Sequence, residues 1–280
     1  MPRAASFGRH ENGQNFLVNS AIIDRIVAQV ASITGPILEI GPGGGALTVP
    51  LARLNRPLTA IEIDARRARD LQRRLEGRAR VVRQDYLHYA HPATPHTVVS
   101  SVPFHLTTAI LRKLLREPGW TRATLLVQWE VARRRAGVGG ASLLTAQWWP
   151  WFDFALLERV PARAFRPVPS VDGGIIVISR RVLVPARERE AYQRFVQRVF
   201  SGRGRTLAQV IAGATSLSPR EAESWIARTA PKARLPKQLS AANWVELWTE
   251  HSVRSGSSRP ARASRRTSRR DAHASRRASP

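Results

Sequence analysis

The chain has 280 residues, no cysteine, a formal net charge of +25 and a pI near 11.9. That length suits one α/β domain with a real core and a smaller appendage, and the missing cysteines exclude disulfides and thiolate chemistry. No apolar stretch approaches the 18 residues of a membrane span and no signal-peptide pattern opens the chain, so the expected compartment is the cytoplasm, with no membrane partner.

Residues 20–31 have helical apolar spacing at Ile22, Ile23, Ile26, Val27 and Val30. Next, an apolar run through Pro36, Ile37 and Leu38 leads into Glu39-Ile40-Gly41-Pro42-Gly43-Gly44-Gly45 and opens onto Ala46-Leu47-Thr48-Val49. This is strand, glycine turn, helix. Gly41, Gly43 and Gly45 let the backbone turn tightly and let a ligand approach the main chain. The third glycine comes one residue too early for a dinucleotide fingerprint, and an acidic residue stands at the strand end. That pattern suits S-adenosylmethionine, which lacks phosphate and carries a charged amino-acid end.

A second strand-length run, Leu58-Thr59-Ala60-Ile61-Glu62-Ile63-Asp64, ends in carboxylates, and Glu62 falls 17 residues beyond Gly45. Glu62 is expected to accept from a ribose diol, and Asp64 to cap a helix from Ala65. The run Ala79 to Gln84 ends at Asp85, placed to accept from an adenine amine, because ligands in this layout lie beyond the carboxyl ends of parallel strands. A fourth run, Thr97 to Ser101, leads into Val102-Pro103-Phe104. A small polar residue, a proline and an aromatic suit methylation of an exocyclic amine, with acceptors for the amine hydrogens and a ring against the base. An ordinary strand-to-helix turn with Phe104 in the core is the plainer alternative. Helices are expected near 46–54, 65–76 and 105–116, a fifth strand over Ala123 to Trp129, and a helix from Glu130 to Arg135. Two further strand-like runs, Phe154 to Val160 and Gly174 to Arg180, lack a helix between them and point to a hairpin at the sheet edge. Between these elements, Trp148, Trp149 and Trp151 are expected to be packed rather than to stack on RNA. His88, His91 and His96 lie close together but without a metal-ligand pattern, and no metal is expected.

After Pro185 the character changes. Helices are expected over 187–200, 205–212, 218–229 and 240–250, with Ser218-Pro219-Arg220-Glu221 as an N-terminal start. Arg203 and Arg205 are candidate phosphate contacts. Arginine carries most of the positive charge, since Lys113, Lys232 and Lys237 are the only lysines, and guanidinium forks pair well with phosphate. Nine arginines against Asp271 make residues 254–280 +8 and leave +17 on the rest. Both parts favour a polyanionic partner. The tail, with almost nothing apolar to bury, is expected to be disordered. The division expected is a sheet-forming domain over 1–184, a small helical domain over 185–252 and an Arg/Ser-rich tail over 253–280; the family that the motifs together resemble implies cofactor binding and catalysis in the first and RNA recognition in the second.

Together these motifs resemble the rRNA adenine N6-dimethyltransferases, most closely the Erm erythromycin-resistance methyltransferases. The resemblance rests on Gly13-Gln14-Asn15-Phe16-Leu17, Glu39 to Gly45, Ala60 to Asp64, Gln84-Asp85, Ser101-Val102-Pro103-Phe104 and Phe165-Arg166-Pro167-Val168-Pro169-Ser170-Val171-Asp172. It implies a Rossmann-like, seven-stranded methyltransferase sheet with the last strand antiparallel. It implies S-adenosylmethionine contacts at Gln14, Asn15, Leu17, Gly41, Gly43, Gly45, Glu62 and Asp85, with Ser101 at the junction with substrate. Phe104 would stack on the target adenine, beside Val102 and Pro103, and Phe165 would close the pocket from the other side. The implied activity is methylation of one adenosine N6 in 23S rRNA, by a monomer acting before ribosome assembly is complete, with resistance to macrolides, lincosamides and streptogramin B. Where the family usually has asparagine this chain has Ser101, which leaves open whether one or two methyl groups are added. Three other functions stay in view: a housekeeping 16S rRNA dimethyltransferase, a DNA adenine methyltransferase, and a nucleic-acid-binding protein that kept the fold and lost catalysis.

Overall fold

A computed structural model of the protein describes residues 15–256. The expected basic tail, beyond the first few residues assigned to it, lies outside the described residues, as do Gly13 and Gln14. The chain forms nine strands and ten α-helices among the described residues. In order these are β1 Phe16–Leu17, α1 Ser20–Ala31, β2 Ile37–Ile40, α2 Thr48–Ala52, β3 Leu58–Glu62, α3 Ala65–Leu75 and β4 Arg80–Arg83. Then come β5 His96–Ser101, α4 Thr107–Leu114, β6 Trp120–Gln128, α5 Trp129–Arg135, α6 Leu143–Trp148, β7 Phe152–Val160, β8 Phe165–Arg166 and β9 Gly173–Arg180. The last four are α7 Arg189–Ser201, α8 Leu207–Ala214, α9 Pro219–Thr229 and α10 Ala241–Gly256.

Seven strands make one sheet in the order β4-β3-β2-β5-β6-β9-β7. The first five run parallel, and β9 runs antiparallel to both β6 and β7, as the resemblance implies. Each central strand is apolar on both faces because helices cover both sides. Adjacent residues separate accordingly. Val98 and Leu125 pack toward α4 to α7, while Val99 and Leu126 pack toward α1 to α3.

The capping chemistry matches the local sequence. Asp64 Oδ1 accepts from the N–H groups of Arg66 and Arg67 at 2.8 and 2.9 Å and starts α3. Ser218 and Glu221 form a reciprocal capping box at α9, with Pro219 at its first position. Several boundaries differ from expectation. The glycine turn continues through residue 47, so α2 begins at Thr48. Phe104–Leu106 is a 3₁₀ turn ahead of α4. Trp129 opens α5 instead of closing β6, although its N–H still donates to the Asp172 carbonyl at 2.9 Å, in register with the β6–β9 pairing.

Two features carry no sequence expectation. One is α6, started by the Ser142 side chain, which accepts from the Thr145 N–H. The other is a separate two-stranded ribbon in which Phe16 pairs with Arg166 and Leu17 with Phe165. It joins the N-terminal motif to the late Phe165–Asp172 segment.

The tryptophans are packed. Trp148, Trp149 and Trp151 are buried, and Trp151 meets Trp148 and Tyr192 edge-on at 6.4 and 5.5 Å between ring centroids. Tyr192 belongs to α7, so this aromatic cluster joins the sheet to the C-terminal helices. One apolar core runs through both parts. Arg203 and Arg205 are exposed between α7 and α8. No described helix is long and apolar enough to cross a membrane.

Candidate active site

The carboxyl ends of β2, β3, β4 and β5 enclose a cavity of about 410 Å³. Asn15, Leu17, Gly41, Gly43, Glu62, Asp85, Ser101 and Pro103 all line it. Parallel strands deliver Gly41, Glu62, Asp85 and Ser101 there together, each from where a ladder ends and a turn begins, whereas Asn15 and Leu17 come from the N-terminal segment at β1.

The glycine turn is tied at three points. Gly41 N–H donates to the Ile61 carbonyl at 2.9 Å, Gly43 N–H to Glu62 Oε2 at 3.0 Å, and Gly45 N–H to the Pro42 carbonyl at 2.8 Å. The glycines differ in purpose. Gly41, at φ +65°, has nothing within 4 Å of where a Cβ would stand, so its backbone is open to a ligand. Gly45, at φ +81°, is a correction. It does not line the cavity, and a Cβ there would sit 2.6 Å from Leu71 Cδ1, so it lets the turn pack on α3.

Glu62 is buried, and its two oxygens accept from Gly43 N–H and Asp64 N–H at 3.0 and 2.9 Å. Each oxygen keeps a second lone pair for a ribose diol. Asp85 caps the 3₁₀ turn that follows it, accepting from Leu87 N–H at 2.8 Å, and faces the cavity beside Ile63 and Leu87. Glu39 had no individual role in the sequence reading. It is 2% exposed, lines the cavity, and its Oε2 has no hydrogen-bond partner. Burial pushes its carboxyl up to about 8, against the opposing pull of the neighbouring Thr48 hydroxyl and with a smaller push from Glu62. A buried carboxylate with an idle oxygen, next to an open glycine backbone, fits a ligand with a cationic end. The signal for it was the acid at the strand end before the glycines.

Phe104 faces a second cavity of about 490 Å³, lined also by Asn15, His105, Gln128, Pro169, Ser170 and Val171. Asn15 and His105 line both cavities, so the two meet beside Pro103 and Phe104. Two expectations need correction here. Phe165 is 1% exposed and lies in neither lining; its ring meets Phe104 edge-on at 5.9 Å, so it buttresses Phe104 from behind. The wall of Phe104's cavity comes instead from Pro169, Ser170 and Val171. Asp172 anchors that segment by accepting from Ala162 N–H at 2.8 Å and Arg159 Nε at 2.7 Å. Val102 is likewise buried, and its contribution is backbone: its N–H donates to the Leu126 carbonyl at 2.9 Å and fixes the turn.

Two of the three close histidines, His91 and His96, serve the cavity wall, while His88 is exposed with its Nδ1 3.3 Å from Asp85 Oδ2. Tyr86, a lining residue, meets His91 Nε2 at 3.0 Å; His91 Nδ1 meets His96 Nε2 at 3.0 Å; and His96 Nδ1 meets the Thr94 carbonyl at 2.8 Å. The carbonyl can only accept, so His96 donates from Nδ1, His91 donates to His96, and the Tyr86 hydroxyl donates to His91. Burial lowers His91 to about 4, which keeps this chain neutral.

A profile of the ribosomal RNA adenine dimethylase family matches residues 6–250. The chain is 54% identical over 212 residues to an rRNA adenine N-6-methyltransferase of Corynebacterium diphtheriae, covering 74% of this chain and 83% of the relative. It is 48% identical over 262 residues to the mycinamicin-resistance protein MyrB of Micromonospora griseorubida, covering 92% and 83%. The crystal structure of the 23S rRNA methyltransferase ErmE superposes with a TM-score of 0.77 at 32% identity, covering 85% of this chain and all of that one.

Proposed function

The chain belongs to the ribosomal RNA adenine dimethylase family and is an S-adenosylmethionine-dependent rRNA (adenine-N6)-methyltransferase, and from that premise we propose that its target is one adenosine of 23S rRNA. Methylation there blocks macrolide, lincosamide and streptogramin B binding. The protein acts in the cytoplasm, as a monomer, on rRNA not yet fully assembled, and residues 185–252 contribute to RNA recognition. The observation that carries the reading is the meeting of the two cavities at Asn15 and His105, with Phe104 at the junction.

S-adenosylmethionine, when bound, supplies a methyl group on a positively charged sulfur. The residues present fit it: Gly41 leaves the main chain open, Gly43 lines the cavity while its bare Cα makes room for the Phe16 ring, and the idle Glu39 oxygen would meet the cationic end. Glu62 would hold the ribose, and Asp85 with Ile63 and Leu87 the adenine. Asn15, Leu17 and Ser101 lie toward the junction, with Gln14 adjacent in sequence to Asn15.

The target adenosine must leave its RNA stack to enter the second cavity. Phe104 then holds the base by stacking, supported by Phe165. The adenine N6 lone pair is delocalised, so acceptors at Ser101 and Val102 must draw the amine hydrogens and pull the nitrogen toward tetrahedral geometry. Once methylated, the nitrogen loses its proton readily. Among the described residues no carboxylate lines this cavity, in agreement with a step that needs no strong base.

The test is primer extension combined with mass mapping on 23S and 16S rRNA from cells that express the protein. One methylated adenosine in 23S rRNA is expected. Modification of 16S rRNA instead would move the protein to the housekeeping role, and no modification of either would leave only nucleic-acid binding.

A further inference from the structure

Stacking on Phe104 fixes the plane of a base but not its rotation within that plane, and every base offers a face to stack on. The cavity in front of Phe104 therefore needs a contact to the edge of the base if it is to aim N6 at the methyl group. Among its polar lining residues, Asn15 and His105 also line the cofactor cavity, and Ser170 is exposed on the late segment. Gln128 is half-buried and lines the Phe104 cavity but not the cofactor cavity.

Gln128 is the last residue of β6, and the fold leaves its amide idle. It stands at the N-cap of α5, where a shorter polar side chain would accept from the first helical N–H groups, yet its own side chain makes no such bond. Among the described residues its amide forms no other hydrogen bond. The sheet sets its direction. β5 and β6 pair with Ser101 opposite Leu126. Side chains alternate along a strand, so Gln128 lies on the face of Leu126, one pleat further toward the strand ends. That face also carries Phe165 and Phe104, which share an apolar cluster with Leu126. The main chain is held on both sides: Val102 N–H donates to the Leu126 carbonyl at 2.9 Å, and Trp129 N–H to the Asp172 carbonyl at 2.9 Å. Gln128 thus combines a fixed backbone with an uncommitted amide, beside the turn that bears Phe104.

A primary amide offers two donors and an acceptor, and it is the side chain that pairs best with adenine. Once acceptors at Ser101 and Val102 have drawn the N6 hydrogens, the edge of adenine still presents the ring nitrogens N1 and N7 on either side of N6. Both are acceptors and need a donor, which neither backbone carbonyls nor the Phe104 ring can supply. We propose that Gln128 orients the target adenine: its Nε2 donates to a ring nitrogen flanking N6 and so turns the amine toward the methyl donor. This rests on the rRNA (adenine-N6) reading of the same site.

The experiment is single-turnover methyl transfer by the full-length protein, saturated with S-adenosylmethionine, to a 23S rRNA hairpin fragment. The target position carries adenosine, 1-deazaadenosine or 7-deazaadenosine; each analogue replaces one ring nitrogen by C–H and removes one acceptor. Wild type should be slowed about tenfold by one of the two analogues, which identifies the nitrogen. Q128M keeps the length of the side chain and loses the amide. It should methylate adenosine about tenfold more slowly than wild type and show no further loss on that analogue. Its affinity for S-adenosylmethionine should match wild type, since Gln128 does not line the cofactor cavity. A residue that only supports the fold would slow all substrates and leave the analogue penalty in place, and that result would overturn the proposal. So would a wild-type rate that neither analogue changes, or a Q128M rate equal to wild type. Circular dichroism verifies folding. If Q128M is unfolded, Q128E, of equal size but without the donor, repeats the test with the same expectation; unfolding of both would make Gln128 a packing residue and overturn its role. Transfer by wild type to the adenosine fragment checks the underlying reading separately: no transfer sinks that reading, whereas transfer with an unchanged analogue penalty in Q128M sinks only the role of Gln128.

Discussion

The cavity at the strand ends differs in charge from a third cavity, of about 450 Å³, framed by α4, α5, α6 and α7 and lined by Arg112, Arg116 and Arg135. Each holds a buried ionisable side chain with an idle atom, Glu39 Oε2 in one and Arg135 Nε in the other. They respond to burial differently. Glu39 is pushed up to about 8, so without a ligand it is protonated and neutral at pH 7. Arg135 is lowered only to about 10 and keeps its charge. The acidic cavity can therefore empty without leaving a bare charge in the interior, while the arginine cavity stays positive. Net charge does not decide what the acidic cavity takes. In a chain of +25 with only 20 acidic residues, Glu39, Glu62 and Asp85 all face one cavity, and that placement selects a cation. The bulk charge attracts RNA; the few acids select the methyl donor.

The largest expected effect breaks the acidic side. Glu62→Ala removes the ribose acceptor and leaves the Gly43 and Asp64 N–H groups without their partner. Cofactor affinity should fall by roughly 3 kcal/mol, about two orders of magnitude, as read by calorimetry on a folded variant. Unchanged affinity would rule out the assignment. Phe104 stands outside both charged cavities and separates base holding from charge. Phe104→Ala should slow methylation by roughly 1–3 kcal/mol in single-turnover assays, with cofactor affinity intact. Collapse of cofactor binding together with unfolding would make Phe104 a packing residue.

Smaller effects sharpen the contrast. The folded-state pKa of Glu39 lies above its ordinary value of 4.5. Its contribution to stability is therefore fullest below about pH 4.5 and is lost as pH rises toward 8. Glu39→Gln should flatten that decline in the cofactor-free protein, so the melting-temperature gap between variant and wild type should widen in the variant's favour from pH 5 to 8. A constant gap would mean that Glu39 does not titrate in this window. Ser101→Asn should raise the dimethyl fraction in mass spectrometry of digested rRNA if the serine limits the reaction to one methyl. An unchanged fraction would assign amine positioning to the backbone carbonyls. Smallest is removal of residues 257–280: turnover at saturating RNA should hold while the salt dependence of RNA binding becomes shallower. Loss of methylation at saturating RNA would place these residues in the recognition surface.

Much of the acidic cavity was legible in the sequence because parallel strands export their terminal residues to one edge. Glu62, Asp85 and Ser101 each end a run, and run ends can be seen without coordinates. Gly41 and Gly45 look alike in sequence, and only the packing of Leu71 against the second separates their purposes. Phe165 lies 61 residues beyond Phe104 in sequence, and its place behind that ring depends on the pairing of Leu17 with Phe165, which two-residue strands cannot signal by periodicity. The arginine cavity was illegible for a similar reason. Arg112, Arg116 and Arg135 are ordinary members of an arginine-rich chain until α4, α5, α6 and α7 surround them, and α6 itself was not foreseen.

The central claim, that the cavity at the strand ends is an acid-lined site for a cationic cofactor, is tested most directly by counting protons. S-adenosylmethionine is titrated calorimetrically into wild type and Glu39→Gln at pH 7, in two buffers of different ionisation enthalpy. A cation beside Glu39 favours the carboxylate, so wild type should release about one proton per cofactor bound. Glu39→Gln should release almost none and should bind more weakly. Equal proton release and equal affinity in the two proteins would contradict the account.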